Sequence, residues 1–320
     1  MNRFMEKPND SAFMMSEMQT LAAGVSFLDL NFQGRARVIA SAIIQGPGGV
    51  AIVDPGPSST LPVLRSQLAG AGIGLADVTT LLLTHIHLDH AGATGTLVRE
   101  NPRLRVHVHE IGAPHMADPT KLIASATRLY GDDMDRLWGE IAPVPPDVMT
   151  TLRGGERLAA GGRTLDVAYT PGHASHHVSY FSDDTGIAFI GDTAGVSVVP
   201  GGFVLPPTPP PDIDLELWKG SVATIERWRP ETLFLTHFGP AAPSGPHLTE
   251  LSDHLDLVAR FAKESLAVDG DDAVKEAWFV ERIRRELRGR LSEDAAAAYE
   301  ISGRFDLSWR GLARYLRKKV

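Results

Sequence analysis

The amino-acid sequence predicts an α/β protein, a four-layer αβ/βα sandwich followed by a C-terminal helical subdomain. Three observations carry that expectation. Short β-type runs separated by turn residues fill residues 25–56 and return over residues 156–239. Helical stripes lie between these runs, at Leu61, Leu64 and Leu68 and again at Leu215, Trp218, Val222 and Ile225. After Pro246 the strand-like runs cease and amphipathic helical spacing takes over.

The elements follow in order. VSFLDL, ARVIASAIIQ and, after the turn GPG, GVAIVDPG read as an antiparallel meander. A helix ending in AGAGIG and a buried strand TTLLLTH at 79–85 come next, then a helix from near Gly92 and a strand RVHVHE at 105–110. Residues 114–146 are less regular, with short helices expected over 123–130 and 134–141; such an insertion forms a lid or pocket wall. In the second β-rich half the inserted helix begins near Asp212 or Asp214, either of which can cap it. Leu248, Leu251, Leu255, Val258 and Phe261 mark one C-terminal helix, VKEAWFVERIRREL a second, and residues 309–316 a third. The expected division is a loose tail over 1–20, the sandwich over 21–244 and the helical subdomain over 245–320. The tail holds five of the eight methionines (Met1, Met5, Met14, Met15, Met18) and leaves the true translation start open. The apolar stripes of the C-terminal helices cannot stay in water, so these helices should pack on the sandwich and help to form the substrate pocket.

Composition narrows the function. With 43% apolar and 22% charged residues in 320, the chain reads as globular rather than disordered. It has no apolar run of the roughly 18 to 20 residues a membrane span needs and no leader pattern, so a cytoplasmic protein without membrane contact is expected. The absence of cysteine excludes disulfides, thiolate zinc sites, iron–sulfur clusters and cysteine nucleophiles, leaving His, Asp and Glu to hold any metal. Residues 241–320 carry 14 basic and 14 acidic side chains, so the net charge of −8 lies entirely in residues 1–240. An acidic first part argues against a nucleic-acid partner and for a small-molecule substrate. A homodimer is one option for the assembly.

Four potential metal ligands stand in six residues, His85, His87, Asp89 and His90, directly after the strand TTLLLTH. In extended backbone alternate side chains share a face, so His85 and His87 can bind one ion together. As the chain turns into a helix, Asp89 and His90 become available to a second. His173 in TPGH, Asp192 in IAFIGDT and His237 in LFLTHFG each follow an apolar strand beside a glycine, at the rim of a sheet. A carboxylate such as Asp192 can bridge two cations, so the seven side chains supply two sites of three ligands with one shared.

The ordered series HxHxDH, a later His, GD and a late His resembles the metallo-β-lactamase superfamily over roughly residues 24–240, and within it the branch of glyoxalase II and the dinuclear lactonases. The resemblance implies the metallo-β-lactamase sandwich and a pair of divalent ions, Zn²⁺ first, with Fe or Mn also compatible. It places His85, His87 and His173 on one ion, Asp89, His90 and His237 on the other, and Asp192 between them. Asp54, in VDPG, is implied to support the ligand loop. The implied activity is hydrolysis of a thioester or lactone by a metal-bridging hydroxide, with Asp89 also relaying the proton.

Other histidines read differently. His107 and His109 alternate on a strand and are expected on one sheet face, and His176 and His177 are expected to wall the pocket or support the ligands. His247, Tyr130, Trp138 and Phe203 are pocket candidates. The arginine-rich stretch 282–290 is interleaved with Glu281 and Glu286 and reads as a solvated helix face. The alternative functions are a phosphodiesterase or nuclease of the same fold, and a mononuclear iron dioxygenase of the persulfide dioxygenase type. Leu88 stands where the diiron flavoproteins carry Glu. The segment DTAGVSVVPGGFVLPPTPPPD has no Cys, Lys, Arg or Tyr, so residues 196–211 are expected to form an apolar, proline-stiffened lip that suits an apolar acyl or ring group better than glutathione.

Overall fold

The computed structural model describes residues 18–319. Its first sheet runs β1 (Gln19–Ala22), β2 (Val25–Asp29), β3 (Ala40–Gly46), β4 (Gly49–Val53), β5 (Val78–Leu82), β6 (Arg105–His109) and β7 (Met149–Leu152). The second holds β8 (Arg157–Ala160), β9 (Arg163–Tyr169), β10 (Val178–Ser182), β11 (Ile187–Phe189), β12 (Thr232–Leu235) and β13 (Gly239–Ala241). β1 to β4 pair antiparallel as a meander, whereas β4 to β7 and the pair β11–β12 are parallel.

Parallel neighbours need crossovers, and the helices supply them. α1 (Leu61–Gly70) joins β4 to β5, and α2 (Leu88–Ala91) with α3 (Thr94–Glu100) joins β5 to β6. The irregular segment 114–146 proves to be the crossover from β6 to β7, built from α4 (Ala113–Ala117), α5 (Thr120–Tyr130) and α6 (Met134–Trp138). Between β11 and β12 runs α7 (Leu215–Trp228), whose N-cap is Asp214: its carboxylate accepts from the backbone N–H of Glu216 and Leu217.

Strand period two makes the layers. On β3 and β4, Ala42, Ile44, Ala51 and Val53 face one core while Ile43, Val50 and Ile52 face another. The first core lies between the sheets, with Leu165, Val167, Tyr180, Phe189 and Leu235 opposite; the second lies under α1, where Leu61, Leu64 and Leu68 are buried. Helix, sheet, sheet and helix therefore stack as four layers.

Four helices close the chain: α8 (Ser244–Leu266), α9 (Asp272–Arg288), α10 (Glu293–Gly303) and α11 (Phe305–Lys318). Leu248, Leu251, Leu255, Val258 and Phe261 join the core that the sheets share, so the helical part is continuous with the sandwich. It is also tied by hydrogen bonds, from the Tyr299 hydroxyl to the Phe203 carbonyl (2.6 Å) and from His254 Nδ1 to the Val204 carbonyl (2.7 Å). The arginine-rich face is solvated and paired, with Arg284 bidentate to Glu300 and Arg290 on Glu286.

Three boundaries differ from the sequence reading. Residues 1–17 of the expected tail lie outside the described residues, but Gln19 and Thr20 already pair with Phe27 and Ser26, so the sheet starts earlier. α10 was not expected: its run DAAAAYEIS has too little apolar contrast to show a stripe, and only Ala296, Tyr299 and Gly303 are buried. The helix expected near Gly92 begins at Thr94, after the short α2.

Candidate metal centre

The seven side chains singled out by the sequence converge at the rims of β5, β9, β11 and β12. Beyond β5 the chain stays extended to His87 (φ −60°, ψ 152°), so His85 and His87 project to one side before α2 presents Asp89 and His90. His173 sits on the β9–β10 loop, where Gly172 has φ 137° and a Cβ would fall 2.3 Å from the Trp218 Cα; only glycine lets this loop press against α7. Asp192 follows Gly191, whose φ is 44° and whose Cβ would meet the Thr84 hydroxyl at 2.4 Å. His237 stands two residues beyond the end of β12, after Thr236.

Two triads result. His87 offers Nδ1, 2.9 Å from His85 Nε2 and 3.0 Å from His173 Nε2. On the other side His237 Nε2 lies 3.2 Å from Asp89 Oδ2, and His90 Nε2 lies 4.0 Å from the same oxygen. Asp192 stands between, its Oδ1 at 3.2 Å from His90 and 3.6 Å from His237, its Oδ2 at 3.3 Å from His173. Within His85–His87–His173, within Asp89–His90–His237 and within His85–His90–Asp192, all candidate ligand atoms lie inside 4.8 Å of one another.

The rings are aimed from behind. His237 Nδ1 donates to the Val38 carbonyl (2.6 Å) and His173 Nδ1 to the Pro207 carbonyl (2.9 Å), which leaves each Nε2 free to act as a ligand. Asp54, left-handed at φ 51°, accepts from the Thr84 N–H (2.8 Å), the Thr84 and Thr236 hydroxyls (2.7 and 2.8 Å) and His90 Nδ1 (2.8 Å). One buried carboxylate thus fixes the ends of β5 and β12 and the orientation of His90. Thr84 and Thr236 were missed by the sequence reading, although the repeat LLLTH (81–85) and LFLTH (233–237) marks both.

The electrostatics suit cations. Burial, then the neighbouring imidazoles, hold His85 well below its ordinary pKa and His87 at about 4; His173 is lowered too, so this triad is neutral. Burial also opposes charge on His90 and His237, but for His90 the carboxylates of Asp192, Asp54 and Asp89, and for His237 those of Asp192 and Asp89, outweigh it and raise both. Burial would raise Asp89 and Asp192, yet the surrounding histidines bring Asp89 to about 2 and Asp192 well below the carboxylate range. His90 Nε2 and Asp192 Oδ1 lie close to each other without hydrogen-bond alignment, and among the described residues neither has a hydrogen-bond partner, buried though they are. Orphaned donor atoms in so dense a set of imidazoles and carboxylates fit divalent metal ions.

The remaining candidates sort by place. His177 bonds to the Thr170 hydroxyl (2.9 Å) and stacks on His85, while His176 lines the same cleft as Asp89. Tyr130 and Trp138 line the same cleft. His109 stacks on Tyr169, His247 bonds to the Ala194 carbonyl and Phe203 lies under His254, all away from the centre. The expected lip over 196–211 needs correction. Val196, Val198, Phe203, Val204 and Leu205 turn into the core, and only the prolines at 207, 209 and 211 reach the cleft. Its basic residues come from elsewhere, Arg35, Arg136 and Arg304 among them.

This arrangement has counterparts. A metallo-beta-lactamase fold-containing protein of Sulfurisphaera tokodaii is 29% identical over 212 residues, 63% of this chain and 76% of that one. A hydroxyacylglutathione hydrolase of a Synechococcus species is 32% identical over 143 residues, but the match spans only 45% of this chain and 43% of the relative. A metallo-beta-lactamase family protein of Thermus thermophilus superposes with a TM-score of 0.68 over 94% of this chain and 95% of that one, at 23% identity, a likeness of fold. The superfamily's sequence model matches residues 34–237, the stretch that contains both sheets' rims and all seven converging side chains, and the chain belongs to the metallo-beta-lactamase superfamily.

Proposed function

We propose that this protein is a dinuclear metal-dependent hydrolase of an activated carboxyl bond, a thioester or a lactone with an apolar acyl or ring group. Asp192 carries the reading: its two oxygens are divided between the two triads, Oδ1 toward His90 and His237 and Oδ2 toward His173, as a bridging carboxylate requires. Two divalent ions held there, zinc or alternatively iron or manganese, would lower the pKa of water toward neutrality and polarise a substrate carbonyl.

The chain's own groups do the rest. Asp89 has the most exposed side chain of the carboxylates here, 27%, and is ionised, so its free oxygen can hold the proton that an attacking water gives up. His237 Nε2, 3.2 Å from Asp89 Oδ2, would share an ion with that carboxylate and so hold its direction. Ile86, Leu88, Leu122 and Leu129 give an apolar wall beside Asp89 against which an acyl or ring group loses water. The hydrolases of hydroxyacylglutathione among the relatives favour a thioester.

The test is a screen of purified, metal-analysed protein against thioesters, lactones, β-lactams and phosphodiesters. Two metal equivalents with turnover of thioesters or lactones is the expected result. A single equivalent in fully active protein, or turnover of phosphodiesters alone, overturns it.

A further inference from the structure

Asp89 does not sit at the end of one pocket but at the junction of two. One arm, about 290 Å³, has an aliphatic wall of Ile86, Leu88, Leu122 and Leu129, with Lys121 and Asp212 also in its lining. The other, about 330 Å³, lies under the C-terminal helices and is lined by Arg35, Arg136, Ser302 and Arg304 beside Asp192 and His237. Asp89, Tyr130, Trp138 and Pro209 belong to both. Together the arms reach a size typical of small-molecule sites, roughly 300–1,000 Å³.

The second arm has more donors than acceptors. Trp138 is 6% exposed, its ring clamped between Phe32 (5.7 Å) and Tyr130 (5.0 Å), and its buried Nε1–H has no acceptor among the described residues. The Ser302 hydroxyl is buried and has no hydrogen-bond partner among the described residues either. Native interiors rarely leave such groups unpaired, because each one costs its full desolvation. Tyr130 adds another donor: burial first, then the charge of Asp89, raise its pKa, so its hydroxyl keeps its proton.

Charge points the same way. Arg304 is bidentate to Asp306, and Arg136 is held by Asp133 and Gln33. Arg35 has no carboxylate partner among the described residues. Of the carboxylates that line this arm, Asp133 is spent on Arg136, while Asp89 and Asp192 face the histidines. The unpaired groups that Trp138, Ser302 and Arg35 bring to this arm include donors that a negatively charged group rich in acceptor oxygens can meet and an ammonium group cannot.

We propose that the substrate is two-ended, with an apolar group in the first arm, a carboxylate in the second, and the cleaved bond between them at Asp89. The cleavage rests on the hydrolase reading above; the recognition does not.

Three thioesters sharing one octanoyl group, with leaving thiols that end in a carboxylate, an uncharged amide or an ammonium, are compared on the metal-loaded full chain by thiol release. The expected result is a kcat/KM for the carboxylate that exceeds the ammonium by roughly tenfold or more, chiefly through KM. Arg35→Ala should collapse that ratio, Arg35→Lys should restore part of it, and Trp138→Phe should reduce it with the aromatic packing kept. In parallel, calorimetry measures binding of the non-hydrolysable octyl thioether of 3-mercaptopropionate against its amide. Tighter binding of the carboxylate thioether, lost in Arg35→Ala, supports the proposal even if no thioester is turned over. Equal kcat/KM values with equal thioether affinities overturn it while leaving the hydrolase reading intact.

Discussion

The two triads of the centre are built from similar residues and differ in charge. His85, His87 and His173 have no carboxylate of their own, and burial with mutual repulsion keeps their rings neutral. Asp89, His90 and His237 interleave a carboxylate with imidazoles, and two further carboxylates, Asp192 and Asp54, press on His90. The first triad is a set of lone pairs ready for a cation. In the second, protons occupy the place a cation would take, and Asp54 holds His90 from behind through an aspartate anchored by two strand ends. Two ions held as proposed would therefore bind at one position without displacing protons and at the other in exchange for them.

The harshest way to break the comparison is to remove what the triads share. Asp192→Ala should lose metal from both positions and lower kcat/KM by roughly 10³-fold or more, the upper part of the range for loss of a positioned catalytic group. Elemental analysis checks it, and loss confined to one equivalent would show that Asp192 serves a single ion.

Asp89→Asn asks about the second triad alone. The amide can still offer an oxygen but is too weak a base to take up the proton, so much of the metal should remain while kcat falls roughly 10²-fold. Near-normal kcat at full metal occupancy would take Asp89 out of the proton path.

The contrast between triads was only half legible in the sequence. The strands, α1, α7 and the seven converging residues could be read because strand alternation and the spacing of His85, His87, Asp89 and His90 are local patterns. Which carbonyl aims which ring could not, since Val38 lies 199 residues from His237 and Pro207 lies 34 from His173. Residues 196–211 misled for a related reason: apolar character says that a segment is buried but not which side it faces, and Phe203 and Leu205 turned inward while the prolines lined the cleft. The polar arm was invisible because Arg35, Trp138 and Ser302 come from three distant segments.

A smaller perturbation tests the support behind the second triad. Asp54→Asn keeps the volume but replaces one of the two acceptor oxygens with an amide nitrogen and loses the charge facing His90, so metal affinity should fall about 10- to 100-fold, as is usual when a ligand's hydrogen-bond partner is altered. Competition with a chelator measures it. Because His90 is the ligand that bonds Asp54 directly, while His85 is reached only through the Thr84 hydroxyl at 3.2 Å, the second equivalent should weaken more than the first, and a uniform weakening of both would contradict the asymmetry.

The mildest test changes nothing but pH. In the metal-free protein His87 stays neutral down to about pH 4 and His85 and His173 are likewise depressed, so acid competes weakly for the first triad. His90 and His237 are raised above the ordinary histidine value, so near neutrality they hold protons that an entering ion must displace. The sign follows: affinity at the second triad climbs with pH through the neutral range, while affinity at the first is nearly flat there. Dialysis against limiting zinc at about pH 8 and about pH 5.5 should give two equivalents in the first case and close to one in the second. Calorimetry in buffers of different ionisation enthalpy should assign the proton release to the second ion. His237→Ala should bind one ion with little pH dependence, whereas His87→Ala should leave the pH-dependent position. Parallel loss of both equivalents on acidification would show that the two triads titrate as one.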